Sequence, residues 1–196
     1  MVTNHYFFNR HKECAMLDIH HSILVVIDIQ GNLAQLMHKK DHFFRQAEIM
    51  VKGAEIFDLP TLWLEQLPDK LGATIPQIAH PLNQQGLTPI AKESFSAVQN
   101  ISFVEQLQLK QRKSIIIIGI EAHICVYQTV IDLITEGYQV TVVSDAISSR
   151  TEENKQIAIN KMQRAGAQIS TTEMVLFELQ RVANGDRFKA LLNLIK

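Results

Sequence analysis

The amino-acid sequence predicts an α/β fold, a three-layer doubly wound sheet of about six mainly parallel strands with helices on both faces. Short apolar runs alternate along the chain with longer segments in which apolar residues recur at helical spacing. The short runs are continuously apolar, and the four isoleucines at 115–118 are the clearest case. Continuous runs of this kind are typical of parallel strands that helices cover on both faces.

Each element follows from the composition at its position in the chain. Strands are predicted where short apolar runs lead into polar or turn-forming residues: 23–28, 61–65, 88–91, 114–119, 139–144 and 168–170. Helices are predicted where apolar spacing is helical, and two of them end just before a glycine: 43–57, 101–109, 123–136, 152–165, 172–182 and 187–195. Because strands and helices mostly alternate, the sequence favours parallel strand pairing.

The chain is predicted to consist of an N-terminal leader, residues 1–21, and a single domain, residues 22–196. No repeat, low-complexity segment or linker divides the 196 residues. Charged residues such as Arg10 and Lys12 interrupt the leader, whereas a secretory signal needs an unbroken apolar core. The predicted location is therefore cytoplasmic. The only two cysteines, Cys14 and Cys125, give no basis for a disulfide framework, and both are expected to be reduced.

Composition argues against several classes of partner. The formal net charge is −1, the pI is near 6.7 and no dense basic stripe is present, so we expect no nucleic-acid binding. The longest apolar runs are too short to span a bilayer, so no membrane association is predicted. Residues 29–34, after the first strand, contain one glycine and lack the glycine-rich turn of dinucleotide-binding domains. With these classes set aside, the expected binding partner is a small-molecule substrate. No cofactor is expected.

Three polar residues follow predicted strands at the edge where open parallel sheets bind their ligands. Asp28 ends the first apolar run, Lys92 follows the third, and Cys125 follows the isoleucine run at the expected start of a helix. Each residue alone has an ordinary explanation. Asp28 can be a turn or helix-cap carboxylate, Lys92 a surface charge and Cys125 a small buried hydrophobic residue. Together, a carboxylate, an ammonium group and a thiol in one crevice indicate nucleophilic catalysis.

The residues around these three positions resemble the isochorismatase-like cysteine hydrolases, a family that includes nicotinamidases and other small amidases. The similarity rests on Asp28 with Gln30, on Lys92 in a Lys-Glu-Ser-Phe-Ser-Ala run, and on Gly-Ile-Glu-Ala-His-Ile-Cys-Val at 119–126. It extends over about residues 23–188 and is greatest to the branch called isochorismatase domain-containing proteins. The resemblance implies the isochorismatase-like, Rossmann-like version of the predicted sheet.

The resemblance also implies a mechanism. Cys125 is the expected nucleophile, Asp28 the proton carrier, and Lys92 the cation that lowers the pKa of the thiol and keeps Asp28 ionised. The expected substrate is a small amide or a related C–N compound, which is hydrolysed through a covalent acyl-enzyme. The backbone N–H groups of Glu121 and Cys125 are the expected oxyanion hole, and the Ile120–Glu121 peptide is cis in relatives.

Substrate contacts are predicted from residues that flank the three strand ends: Gln30, Leu33, Glu65, Gln66, Phe95, Ile120 and His123. No metal site is expected. Nicotinamidases that use a metal carry Asp-x-His and another histidine after the second strand, whereas residues 65–70 of this chain contain no histidine.

Two further readings stay open on the sequence alone. One is a non-catalytic or redox-sensing protein that retains the three residues. The other concerns assembly: the family tends to form dimers or larger closed oligomers, and the apolar residues at 191–195 offer a surface that a second subunit can cover. A homo-oligomer is therefore expected.

Overall fold

The computed structural model describes residues 16–196. Over these residues the sheet has six strands: β1 (Ser22–Ile27), β2 (Thr61–Gln66), β3 (Ile90–Lys92), β4 (Ser114–Gly119), β5 (Gln139–Ile147) and β6 (Gln168–Ser170). All of their pairings are parallel, and the spatial order is β3-β2-β1-β4-β5-β6. This arrangement confirms the predicted parallel, doubly wound sheet. The direction of winding reverses between β1 and β4, which makes their carboxyl ends the ligand crevice of such a fold.

The same residues form nine α-helices: α1 (Gly31–Gln35), α2 (Lys40–Ile56), α3 (Pro68–Leu71), α4 (Pro76–Gln84), α5 (Ile101–Leu109), α6 (Tyr127–Thr135), α7 (Glu152–Arg164), α8 (Thr172–Gln180) and α9 (Gly185–Ile195). A short 3₁₀ turn, Ala97–Gln99, precedes α5, and a π-helical turn, Ala122–Val126, precedes α6.

Helices cover both faces of the sheet, as predicted. Leu24 and Val26 of β1 pack in a core with α2, α4, α8 and α9. Ile23, Val25 and Ile27 of the same strand pack in a second core with α5, α6 and α7. Since successive side chains of a strand point to opposite faces, this division requires apolar residues at successive positions, 23–27, of β1. The continuous apolar run in the sequence is therefore a consequence of the three-layer arrangement.

The structure contains helices that the sequence pattern did not predict. The longest of them, α4, begins at Pro76, where a missing N–H removes no hydrogen bond, and it continues through Pro81. It buries Ile78 and Leu82, one turn apart, against α2. Two prolines within six residues are typical of a turn, and only the apolar contact with the rest of the fold makes this segment a helix. The other two, α1 and α3, are single short turns.

The last residues of the predicted leader pack against the domain. Leu17 is buried, its N–H donates to Glu178 Oε2 at 3.1 Å, and its carbonyl oxygen accepts from Arg181 Nη2 at 2.7 Å. Residues 16–21 are thus held to α8 and the turn after it, while Cys14 and the rest of the leader lie outside the described residues. In the described chain, no helix is both long and apolar enough to cross a membrane.

Candidate active site

Asp28 and Lys92 form a buried ion pair at the carboxyl edge of the sheet. Asp28 follows β1 and Lys92 ends β3, two strands away. The Lys92 Nζ atom lies 2.7 Å from Asp28 Oδ2, and both side chains are almost completely removed from solvent. Asp28 has a positive φ of 52°, an unusual conformation for a residue other than glycine, and such conformations cluster at functional sites.

All three protons of the Lys92 ammonium group are engaged by nearby oxygen atoms. Besides Asp28, its Nζ lies 2.6 Å from Gln66 Oε1, 3.2 Å from the Ser94 carbonyl oxygen and 3.3 Å from the Phe95 carbonyl oxygen. An ammonium group has three protons, and these four acceptors occupy all of them. Lys92 therefore acts on Asp28 as a fixed positive charge and has no proton free for a ligand.

Cys125 lies in the π-helical turn that follows β4, and it is buried. The close approach of β1 and β4 brings the turn to Asp28. Gly119 ends β4 with a φ of 128°, and a Cβ atom added there would come within 2.0 Å of the Ile27 carbonyl oxygen. Only glycine permits this contact, so Gly119 sets the position from which the thiol approaches Asp28.

The protonation of the thiol differs from the expectation. Burial, reinforced by the negative charge of Asp28, raises the pKa of the Cys125 thiol to about 12. Lys92 lowers that pKa, as expected, but burial outweighs it. The resting site therefore holds a neutral thiol. The net lowering of the thiol pKa that Lys92 was expected to produce is therefore absent, because withdrawal of the sulfur from water outweighs the charge of Lys92.

One oxygen of Asp28 is available. Oδ1 is buried and accepts no hydrogen bond from the described residues, while Oδ2 is held by Lys92. The Cys125 thiol is near enough to contribute to the pKa of this carboxyl group. Burial raises that pKa above the usual value for aspartate, and the charge of Lys92 opposes the shift. A raised carboxyl pKa beside a neutral thiol makes proton transfer between them easier than it is for the isolated groups.

The two groups open onto a cavity of about 100 Å³. Besides Asp28 and Cys125, the residues that line it are Leu33, Gln66, Leu71, Phe95, Ile120, Glu121 and Ile124. Five of these nine side chains are hydrocarbon. The cavity therefore offers an apolar wall with the carboxylate and the thiol as its reactive groups.

Four of the predicted substrate contacts lie on this wall, Leu33, Gln66, Phe95 and Ile120. Gln66 is constrained there, because its Oε1 accepts from Lys92 and its Nε2 lies 2.5 Å from the Glu93 carbonyl oxygen. Leu71 and Ile124 also line the cavity, and sequence reasoning missed both. Leu71 ends α3, and its backbone passes close to Gly31, where a Cβ atom would meet the Leu71 carbonyl oxygen at 2.1 Å.

The structure places the other three predicted contacts elsewhere. Gln30 is fully buried, and its Nε2 donates to the carbonyl oxygens of Gln66 and Gly72 at 3.1 and 2.6 Å, while its Oε1 accepts from the Gln66 N–H at 2.6 Å. It joins two loops and has no free polar atom for a ligand. Glu65 accepts from the Thr74 N–H and hydroxyl at 2.6 and 2.8 Å. His123 Nδ1 lies 2.9 Å from Ser149 Oγ.

The expected oxyanion turn is held by the segment 148–150 after β5. The Ile120–Glu121 peptide is cis. The Ala122 N–H donates to the Ser148 carbonyl oxygen at 2.7 Å, and Glu121 Oε2 accepts from the backbone N–H and the Nε of Arg150 at 3.2 and 3.0 Å. The Glu121 N–H makes none of the hydrogen bonds found among residues 16–196. It is thus a backbone donor without a hydrogen-bond partner among the described residues, in a residue that lines the cavity.

A family model described as "Isochorismatase domain" matches residues 22–174, more than three quarters of the chain. The chain belongs to the isochorismatase family.

Curated relatives agree with this assignment over nearly the whole chain. Isochorismatase domain-containing protein 2 of Rattus norvegicus is 35% identical over 175 residues, which cover 89% of this chain and 81% of the relative. The secreted isochorismatase effector Isc1 of Phytophthora sojae (strain P6497) is 33% identical over 187 residues, which cover 94% and 89%. The second name describes a secreted protein. The cytoplasmic location of the present family member stays a prediction.

Solved structures share the fold. MAR1 ribonuclease from Caenorhabditis elegans has a TM-score of 0.82 and 33% identity, with 92% of each chain covered. YcaC from Escherichia coli, described as an octameric hydrolase of unknown specificity, has a TM-score of 0.86 and 26% identity, with 92% of this chain and 90% of YcaC covered. YcaC from Pseudomonas aeruginosa, solved with hexane-2,5-diol and covalent acrylamide, gives the same score and identity, with 92% of each chain covered.

Within this isochorismatase domain, the described residues contain no group of three or more histidine, cysteine, aspartate or glutamate side chains placed to hold a metal ion. Sequence reasoning located the three strand-end residues but missed Arg150, which lies half exposed on the Glu121 carboxylate. The signal was present: a Ser-Ser-Arg run follows the fifth predicted strand, beyond the carboxyl end where the other site residues also lie.

Proposed function

We propose that this isochorismatase-family protein is a cysteine hydrolase that cleaves a small amide or a related C–N substrate. Cys125 is its nucleophile, Asp28 its proton carrier and Lys92 its fixed positive charge. The observation that carries the proposal is the state of Asp28. Its buried Oδ1 accepts no hydrogen bond from the described residues, its Oδ2 is bound to Lys92, and its carboxyl group lines one cavity with the Cys125 thiol, each group influencing the pKa of the other. A buried lone pair without a partner is costly, so proteins retain one where it has a task.

The reaction begins from the neutral thiol. As the sulfur attacks the substrate carbonyl carbon, its proton passes to Oδ1 of Asp28. A thiol with a pKa of about 12 therefore does not have to ionise before the attack. The positive charge of Lys92 stabilises the ionised carboxylate before the transfer. This is the part of the expected role in which Lys92 keeps Asp28 ionised; its lowering of the thiol pKa is outweighed by burial.

The remaining steps use the same groups. The C–S bond forms and the carbonyl π electrons move to oxygen, and in this proposal the N–H groups of Glu121 and Cys125 stabilise the negative charge that develops there. The C–N bond then breaks as Asp28 returns its proton to the departing nitrogen, which leaves a thioester on Cys125. Water attacks the thioester while Asp28 takes a proton from it, and the proton is delivered to the sulfur as the acid product leaves.

The comparisons support parts of this proposal. The chain has the hydrolase fold of its family. A structural neighbour carries covalently bound acrylamide, a reagent that adds to thiols. Another neighbour is described as octameric, which supports a homo-oligomer here. A third is named a ribonuclease. For this chain we favour a small molecule over RNA, because none of the described residues that line the cavity is cationic, and Lys92 and Arg150, which bind the lining residues Asp28 and Glu121, are engaged by those carboxylates.

The redox-sensing alternative has less support from the site. Redox-sensing cysteines have low pKa values and are accessible to solvent. Cys125 has a pKa of about 12 and is buried.

The proposal is tested by screening small amides, ureides and esters for release of ammonia, acid or alcohol, with an RNA substrate as an added arm. The expected result is turnover of at least one C–N substrate by the wild-type protein and loss of turnover in Cys125→Ala. Mass spectrometry of the intact protein during turnover is expected to show the acyl group on Cys125. Equal turnover by both proteins contradicts the nucleophile assignment, and hydrolysis of RNA alone contradicts the substrate class.

A further inference from the structure

We infer that the substrate is an uncharged amide whose acyl chain is a short hydrocarbon group of about four non-hydrogen atoms. The inference rests on the proposed function and adds to it the size, polarity and charge of the molecule that Cys125 attacks. Three features of the cavity carry it: its volume, its wall and the absence of a free cation on that wall.

The volume limits the acyl chain. An apolar cavity of about 150 Å³ holds a benzene molecule, which has six carbon atoms. In proportion, the 100 Å³ beside Cys125 accommodates about four non-hydrogen atoms. A branched four-carbon chain matches this volume, whereas an aromatic ring exceeds it and would have to displace wall residues or extend through the opening. Packed protein interiors yield little to such displacement, so ring amides are expected to be poor substrates.

The wall favours hydrocarbon. Leu33, Leu71 and Ile124 face the cavity, and none of them has a polar atom in its side chain. The one amide on the wall, Gln66, already has its Oε1 and Nε2 engaged by Lys92 and Glu93. A polar group on the acyl chain would give up its hydrogen bonds to water and find none in return.

The charges select against anions. Of the described residues that line the cavity, the ionisable acids are Asp28 and Glu121, and none is cationic. Lys92 lies behind Asp28 with four acceptors around its ammonium group, and Arg150 is bound to Glu121. A carboxylate on the acyl chain would therefore meet an apolar wall and two negative groups, with no partner to offset the loss of its hydration.

A pair of amides of equal size and opposite polarity tests the inference. 3-Methylbutanamide and the monoamide of malonic acid carry the same number of non-hydrogen atoms beyond the reacting carbonyl, but one ends in two methyl groups and the other in a carboxylate. The wild-type protein is expected to hydrolyse the neutral member with a kcat/KM at least about 100-fold higher. Acetamide and benzamide, one too small and one too large, are expected to fall below 3-methylbutanamide.

A wall variant adds a second measurement. Leu71→Ala removes three carbon atoms from the cavity wall and is expected to move the preferred chain length upward by about two carbons, with hexanamide gaining over 3-methylbutanamide. The matched control is Leu36→Ala, the same substitution at an exposed residue outside the cavity, which is expected to leave the preference unchanged. An unaltered preference in Leu71→Ala overturns the assignment of this wall to the acyl chain.

Binding to the Cys125→Ala protein separates this inference from the proposed function, because the variant keeps the cavity but lacks the nucleophile. Calorimetric titration is expected to show at least tenfold tighter binding of 3-methylbutanamide than of the malonic monoamide. If the wild-type protein hydrolyses amides but prefers the anionic or the aromatic one, the inference fails and the proposed function stands. If it hydrolyses none and the binding preference remains, the proposed function fails and the ligand class stands. Equal binding without hydrolysis overturns both.

Discussion

Two buried carboxylates lie at the carboxyl ends of adjacent strands, and their surroundings differ. Glu65, in β2, accepts two hydrogen bonds from Thr74, whose hydroxyl in turn accepts from Trp63 Nε1 at 2.8 Å. Asp28, after β1, has one oxygen on Lys92 and the other without a partner in the described chain. Both residues are less than a tenth exposed.

The difference shows that burial of an acid is not by itself a sign of catalysis. Glu65 is satisfied by a backbone N–H and a hydroxyl of its own loop, so it fixes the loop after β2. Asp28 keeps an oxygen without a hydrogen-bond partner in the described chain and lines the cavity with a thiol, so it can exchange a proton. The same type of side chain, at equivalent places on neighbouring strands, is structural in one case and a candidate catalyst in the other.

The largest effect is expected for Cys125→Ala. Because the thioester cannot form, kcat/KM is expected to fall by at least about 10³-fold on any amide that the wild-type protein hydrolyses. The folded state loses one small buried side chain, so thermal unfolding is expected to shift little. Steady-state kinetics with matched circular dichroism checks both results. A residual rate within tenfold of wild type is incompatible with the assigned nucleophile.

Asp28→Asn is expected to give the next largest effect. The amide cannot accept the thiol proton, so kcat is expected to fall by about 10²–10³-fold. The substitution also leaves the buried ammonium group of Lys92 without its counter-charge, which is expected to lower the free energy of unfolding. Kinetics and urea unfolding measure the two effects separately. Retention of kcat would remove Asp28 from the proton pathway.

Alkaline pH is expected to destabilise the wild-type protein more than Cys125→Ala. The pKa of the buried thiol is raised from 9.0 to about 12, so the folded state holds its proton more tightly than the unfolded chain does. The contribution of the protonated thiol to the free energy of unfolding is present below pH 9 and is lost as the pH rises toward 12. Urea unfolding at pH 9 and pH 11 is expected to show roughly 2 kcal/mol more loss in the wild-type protein. Equal losses of unfolding free energy in the two proteins would mean that the pKa of the Cys125 thiol is not raised in the folded state.

Arg150→Met is expected to have an intermediate effect on activity. The change removes the guanidinium that binds the Glu121 carboxylate and loosens the turn that carries the proposed oxyanion donor. We expect kcat to fall by about tenfold with KM nearly unchanged, since the donor acts on the transition state. Arg150→Lys serves as the conservative control and is expected to recover part of the rate. A pure rise in KM would assign Arg150 to substrate binding.

Glu65→Gln is the matched counterpart of Asp28→Asn, a carboxylate-to-amide change on the adjacent strand. The amide oxygen can still accept from Thr74, so the free energy of unfolding is expected to fall by only about 1 kcal/mol. We expect kcat to stay within about threefold of the wild-type value. A loss of activity as large as that of Asp28→Asn would erase the distinction between the two carboxylates.

Several parts of the fold and the site were accessible from local pattern. Continuous apolar runs such as that of β4 predicted the buried parallel strands, because both faces of the sheet need hydrocarbon. The strand-end positions of Asp28 and Cys125 followed from the same rule. By contrast, α4 was missed because Pro76 and Pro81 are typical of turns, and its helix depends on the contact of Ile78 and Leu82 with α2.

The sequence by itself determined which residue types stand at the ends of β1, β3 and β4, since the position of each strand along the chain and its periodicity can be seen in the local sequence. Only the tertiary structure decided what they do there. It bound Lys92 to Asp28, raised the thiol pKa by burial despite the charge of Lys92, and made Gln30 and Glu65 supports for a loop where the sequence predicted ligand contacts. The physical reason is that proton affinity and hydrogen-bond satisfaction depend on distances between groups remote in sequence, which no local pattern specifies.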